Sequence, residues 1–251
     1  MRAGKPLYEL GNHRKGGAIN FIPSFPIYIR WYLLDMVEGL LDGVKYGEVV
    51  LIKYPPSYVP EFTILHIAEY AKSRGIPVII DDNFDAFPII VSHLEALGIS
   101  FDLNSIYVVK TGGNINVGNL IAKIKYHPDP RVYLKEYRET MKRVSLKFKE
   151  CITISIGIES VLSRLTTPQE LYLAIFEIQK ALENKNRKSV YLVNGKIFNA
   201  LPSIARVELS RIASTIVNTK PYPTGAHLYI LKSSNPELVG KEITVEVGGK
   251  Q

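Results

Sequence analysis

Three carboxylates fall within five residues in Asp81-Asp82-Asn83-Phe84-Asp85, directly after the apolar run Pro77-Val78-Ile79-Ile80. The run reads as a buried strand, so the acids stand at its carboxyl end, where parallel α/β proteins place their ligands. Adjacent carboxylates there can hold a hard cation or share a proton. One reading is a divalent-metal-dependent enzyme acting on phosphate esters, with Asp81 and Asp82 as the working pair and Lys232 as an electrostatic clamp. Magnesium would need a third oxygen donor, for which Asp85 is a candidate. The competing reading is structural: Asp82 or Asp85 caps the helix entered near Pro88.

The turn after the first strand is the other place to look for chemistry. It reads Tyr54-Pro55-Pro56-Ser57-Tyr58-Val59-Pro60-Glu61-Phe62-Thr63. A phosphate cradle needs glycines for close backbone approach, consecutive N–H donors, a lysine and a hydroxyl. This turn offers three prolines, two bulky side chains and Glu61 near the lysine's place, so it should repel a triphosphate. A less polar cleft lined by Tyr54, Ser57, Tyr58 and Asn83 would suit a peptide or small organic ligand. Gly113-Asn114-Ile115-Asn116-Val117-Gly118-Asn119-Leu120 has the glycine spacing of a phosphate loop, but Asn119 brings no charge and Leu120 no hydroxyl. Its glycines and asparagines are those of a tight turn, with backbone binding of an anion as the alternative.

A third feature is basic. Over 131–149, a stripe of Leu134, Tyr137, Met141, Val144 and Phe148 is flanked by Arg131, Lys135, Arg138, Lys142 and Lys149. Arg131, Lys135, Arg138 and Lys142 could meet nucleic acid, although solvated helix faces carry similar charges. The whole chain, with 31 basic and 24 acidic residues, has a net charge of +7, which permits an anionic partner without requiring one. The charge is polarised, since residues 51–100 are acidic by three and residues 101–150 basic by five.

Composition narrows the field. With 46% hydrophobic and 22% charged residues, 251 residues suffice for a large folded domain rather than a disordered chain. The apolar stretch 18–34 is interrupted by Asn20, Pro23, Ser24, Pro26 and Arg30, so no membrane span is expected. One cysteine, no secretory apolar region after Arg2 and Lys5, and five histidines without ligand spacing predict a cytoplasmic protein with no metal or cofactor. Cys151 opens an apolar strand and reads as a small core residue.

The positioning elements follow from periodicity. Short β-branched runs predict strands over 48–54, 77–81, 105–110, 152–156 and 189–193. Ile64, Ile67, Ala68 and Ala71, and later Leu171, Ala174, Ile175, Ile178 and Leu182, mark amphipathic helices between them. Thr167-Pro168-Gln169-Glu170 is a capping box. Segments 215–220, 227–232 and 242–247 read as hairpin-linked strands. The expected architecture is a three-layer α/β domain with a mostly parallel sheet and C-terminal antiparallel strands, over residues 27–251. Residues 1–26 form an N-terminal extension, in which Phe21-Ile22-Pro23-Ser24-Phe25 could dock on a neighbouring subunit.

The order of these elements resembles the RecA/KaiC-type ATPases across about 42–247. Ile79-Ile80-Asp81-Asp82 stands where those enzymes end a strand in paired glutamates. Ile154-Ser155-Ile156-Gly157-Ile158-Glu159-Ser160 is similar to the strand whose terminal aspartate holds magnesium, with Gly157 in the aspartate's place. Tyr229-Ile230-Leu231-Lys232-Ser233-Ser234 resembles the strand that sends a Lys-x-Arg pair into a neighbour's site; Lys232 fits and Ser234 replaces the arginine. The stretches EVVLIKYPPS, GIPVIIDD, GGNINVGN and NPELVGKEI look like the archaeal family catalogued as domain of unknown function 257. That resemblance implies a RecA/KaiC-like fold without a working phosphate loop. Without cradle, lysine, magnesium aspartate and arginine finger, little stabilisation of phosphoryl transfer is left. The expected function is thus a non-hydrolysing binding or assembly module for a protein, peptide or small ligand, with a homo-oligomer among its possible assemblies.

Overall fold

The structure, a computed structural model, describes residues 37–58, 60–222 and 225–246. The segment 21–25 read as a docking tail lies outside them. Nine strands form one sheet: β1 (Val49–Tyr54), β2 (Val78–Asn83), β3 (Ile106–Thr111), β4 (Asn119–Ile124), β5 (Cys151–Ile156), β6 (Arg187–Asn194), β7 (Thr215–Tyr222), β8 (Gly225–Lys232) and β9 (Glu242–Glu246). Their order is β4-β3-β2-β5-β6-β1-β7-β8-β9. Pairing is parallel from β4 through β7 and antiparallel from β7 to β9.

Strand alternation sorts the apolar residues into two cores. Val50, Ile52, Val78, Ile80, Ile152 and Ile154 face one layer, with helices α1 (Glu61–Ser73) and α2 (Ala86–Ala96). Val49, Leu51, Ile79, Cys151 and Val193 face the other, covered by α3 (Pro130–Ser145), α4 (Ile158–Leu162), α5 (Pro168–Gln179) and α7 (Ser203–Ile212), with α6 (Gly195–Ala200) between β6 and α7. The capping box at Thr167 forms as read. Helix α3 is capped by Asp129 and ends at Ser145 rather than running to 149. There Lys147 N–H turns back to the Val144 carbonyl (3.0 Å), and Phe148 packs on Tyr107 instead of extending the helical stripe.

Strand β4 was not anticipated. It is a largely exposed edge strand without strong alternation. It runs parallel to β3, yet only residues 112–118 connect them, whereas parallel neighbours ordinarily need a crossover of about a dozen residues or more. The connection turns on left-handed glycines at Gly112, Gly113 and Gly118.

Candidate functional site

The register of β2 on β3 sets Asp82 opposite Lys110. Both side chains therefore lie on the same face. Lys110 is 1% exposed, and its Nζ donates to Asp82 Oδ2 at 2.6 Å while also contacting the Asp85 carboxylate. Asp82 Oδ1 accepts the Phe87 N–H at 2.9 Å, which gives Asp82 the capping role at α2. Asp85 and Phe84 both hold positive φ, of 62° and 57°, and this turn swings the Asp85 carboxylate onto the N–H groups of Asn114 (2.8 Å) and Ile115 (3.1 Å). Burial works to raise the Asp85 pKa, but Lys110 and the two N–H donors hold it below the usual carboxylate range. The glycine-rich turn thus does bind an anion, and the anion belongs to the chain itself. A Cβ on Gly113 would stand within 2.4 Å of that carboxylate, so only glycine fits.

Asp81 points the other way. Its Oδ2 accepts from Tyr137 Oη (2.9 Å) and Ser155 Oγ (2.8 Å), on the face covered by α3. Its Oδ1 is buried without a partner. Burial pushes the Asp81 carboxyl up, against hydrogen bonds from Ser155, Tyr137 and Asn83, and the Asp82 charge adds to the rise. The two acids read as one working pair are therefore divided between the two faces of the sheet by the strand's own alternation. Among the described residues, no group of three or more His, Cys, Asp or Glu side chains could hold a metal ion.

In the loop after β1 the tyrosine turns inward. Tyr58 is 6% exposed and packs with the α1 core, its hydroxyl 2.9 Å from Thr63 Oγ1. Burial pushes its phenol up to about 12, a shift that the Thr63 hydrogen bond opposes. Of the four residues expected to line a ligand cleft, Ser57 is exposed, Tyr54 half-buried, and Tyr58 and Asn83 buried. Asn83 instead ties strand ends together through Nδ2 to the carbonyls of Asp81 (3.3 Å) and Ile156 (3.1 Å). Glu61 is 1% exposed in the first turn of α1; one oxygen lies 2.5 Å from His93 Nδ1 and the other has no partner. Glu159, in the first turn of α4 after β5, accepts from Asn194 N–H (3.0 Å) through one oxygen and buries the other unpaired. Burial first, then the charges of Glu159 and Glu61, raise the Tyr54 phenol. Gly157 adopts φ 79°, and a Cβ there would lie 2.7 Å from the Asn83 carbonyl, so an aspartate has no room.

The remaining candidates are dispersed. Lys232 Nζ donates to the carbonyls of Ser210 (2.9 Å), Arg211 (3.4 Å) and Ala213 (2.6 Å) at the end of α7, where a cation complements the helix dipole. It is a helix cap within its own chain. Arg131 pairs with its neighbour Asp129, and Arg138 with Glu177, while Lys135 and Lys142 are exposed. Sequence reasoning passed over Lys110, Tyr137, Ser155 and Glu159. For Lys110 a signal existed: a lysine within an apolar strand beside one that ends in acids.

The model of the family described as "Pyrococcus protein of unknown function, DUF257" matches residues 39–244. The chain belongs to that family. Among solved structures, PH0250 from Pyrococcus horikoshii OT3 superposes on this DUF257 chain with a TM-score of 0.68 at 21% identity, over 85% of this chain and 98% of its own. The flagellar accessory protein FlaH from Methanocaldococcus jannaschii matches with a TM-score of 0.58 at 14% identity, over 85% of this chain and 93% of its own. At these identities the likeness is one of fold: the mostly parallel α/β sheet with its C-terminal antiparallel strands. No curated protein matches its sequence. No helix among the described residues is long and apolar enough to cross a membrane.

Proposed function

We propose that this DUF257 protein neither binds nor hydrolyses nucleoside triphosphates and works as a binding or assembly module on a RecA/KaiC-like frame. The observation that carries this reading is the pair of buried acids, Glu61 and Glu159, that flank Tyr54 at the carboxyl end of β1, each with one unpartnered oxygen. A triphosphate entering there would meet acceptors and negative charge where it needs donors and cations. The cluster of Asp82, Lys110 and Asp85 supports the same reading, because its charges are already matched to one another and to backbone N–H groups. The division of Asp81 from Asp82 speaks against a two-carboxylate metal enzyme.

Calorimetric titration with ATP and ADP, with and without magnesium and at elevated temperature, tests the proposal. A folded protein that releases no saturable heat is the expected result. Saturable binding that disappears on substituting Tyr54 or Glu61 would overturn it.

A further inference from the structure

At the opposite end of the strands a groove of about 430 Å³ opens between α3 and α5. Its floor is β6, from which Arg187 and Tyr191 rise on the same face. Arg187 is 9% exposed, its Nε is buried without a hydrogen-bond partner, and its side chain makes no ion pair among the described residues. A guanidinium brings five donors, and burying it unmatched is strongly unfavourable. Neither carboxylate of its surroundings is paired with it: Glu177 is shared by Arg138 (3.1 Å) and Lys180 (3.0 Å), and Glu183, exposed on the groove's rim, makes no ion pair with Arg187 among the described residues. Four cationic and two acidic side chains line the groove, a surplus of two positive charges. Tyr137, Met141 and Tyr191 add apolar wall, and the volume falls within the range of about 300–1,000 Å³ typical of small-molecule sites.

We propose that this groove binds a small organic oxyanion, its carboxylate or phosphate on Arg187 and its apolar body against Tyr137, Met141 and Tyr191. Arg187 opens β6 and Ser145 closes α3, so the groove lies at the amino end of the sheet, away from Lys110 and its acids at the carboxyl end. The inference therefore goes beyond the binding-module reading and stands whether or not ATP binds at the carboxyl end. Tyr137 links the groove to the interior, since its hydroxyl holds Asp81.

The test titrates the full chain with benzoate, phenyl phosphate and inorganic phosphate. Benzoate or phenyl phosphate binds saturably, and whichever binds tighter identifies the head group; inorganic phosphate, lacking the apolar body, binds more weakly. Arg187→Met weakens binding by about tenfold or more, the loss expected for charged hydrogen bonds. Without ligand, the Arg187→Met protein melts at the same temperature as the wild type or higher, because an unmatched buried charge has been removed. Failure of all three probes to saturate, unchanged affinity in Arg187→Met, or a lowered melting temperature of the ligand-free variant would each overturn the proposal. ATP binding that survives Arg187→Met would count against the binding-module reading and leave the groove untouched.

Discussion

Replacing Lys110 by methionine keeps the aliphatic stem and deletes the charge on which two carboxylates converge. Lys110 is 1% exposed and Asp82 is fully buried, so water cannot take over the lysine's role. After the change Asp82 keeps one donor, the Phe87 N–H, while Asp85 keeps its two N–H donors from Asn114 and Ile115. Removing one partner of a buried pair costs about 3–5 kcal/mol, because a charge is left uncompensated. The loss should sit on Asp82, since Asp85 is partly exposed and still held. Adding Asp82→Asn removes that charge and preserves an acceptor for Phe87, so the double variant should recover about 1–3 kcal/mol relative to the sum of the single ones. Guanidinium unfolding of the four proteins measures this cycle directly. A loss under about 1 kcal/mol for Lys110→Met, or strictly additive effects, would refute the view that the charges of this cluster serve one another.

Three further outcomes follow. Asp81, whose carboxyl burial raises above the unfolded value, keeps its proton to higher pH in the folded state than in the unfolded one, so its contribution falls as pH rises from the unfolded carboxylate range through the raised folded pKa; Asp81→Asn should flatten that pH dependence and stabilise the protein at alkaline pH in urea melts at several pH values. Gly113→Ala forces a left-handed alanine (φ 66°) whose Cβ would press on the Asp85 carboxylate, and should lower stability by more than the ~1–2 kcal/mol of the left-handed conformation alone, read by thermal melting. Lys232→Met should destabilise by about 0.3–2 kcal/mol through loss of the cap on α7, with no change in oligomeric state by light scattering.

Much of the fold could be read from the chain because its strands carry a plain physical signature. Five β-branched runs buried on both faces, the capping box at Thr167 and the C-terminal hairpin segments point to the class of the sheet, while the order of its strands comes from the structure. Strand β4 escaped because an exposed edge needs no apolar alternation. The site was less legible, for a different reason. Residue types showed where carboxylates cluster, but alternation divides Asp81 from Asp82, and only the register of β2 on β3 brings Lys110 to Asp82. Register is a property of two strands, so no motif within either one records it. Tyr58 misled for a related reason. A loop tyrosine looks like the lining of a cleft until its ring is found packed in the α1 core.

The unmatched groups differ in kind between the two ends of the sheet. At the carboxyl end, around Tyr54 and Asn83, they are acceptor oxygens: one each of Glu61, Glu159 and Asn83. At the amino end, in the groove between α3 and α5, the unmatched group is a donor, Arg187 Nε. An incoming phosphate or carboxylate is itself all acceptor, so it gains nothing at the first place and the N–H donors of the Arg187 terminal nitrogens at the second. Fold class directs attention to the carboxyl end, where open parallel α/β sheets place their ligands. The balance of donors and acceptors directs it to the other end. Where the two disagree, the local chemistry should prevail, because a fold supplies a position while only matched groups supply binding energy.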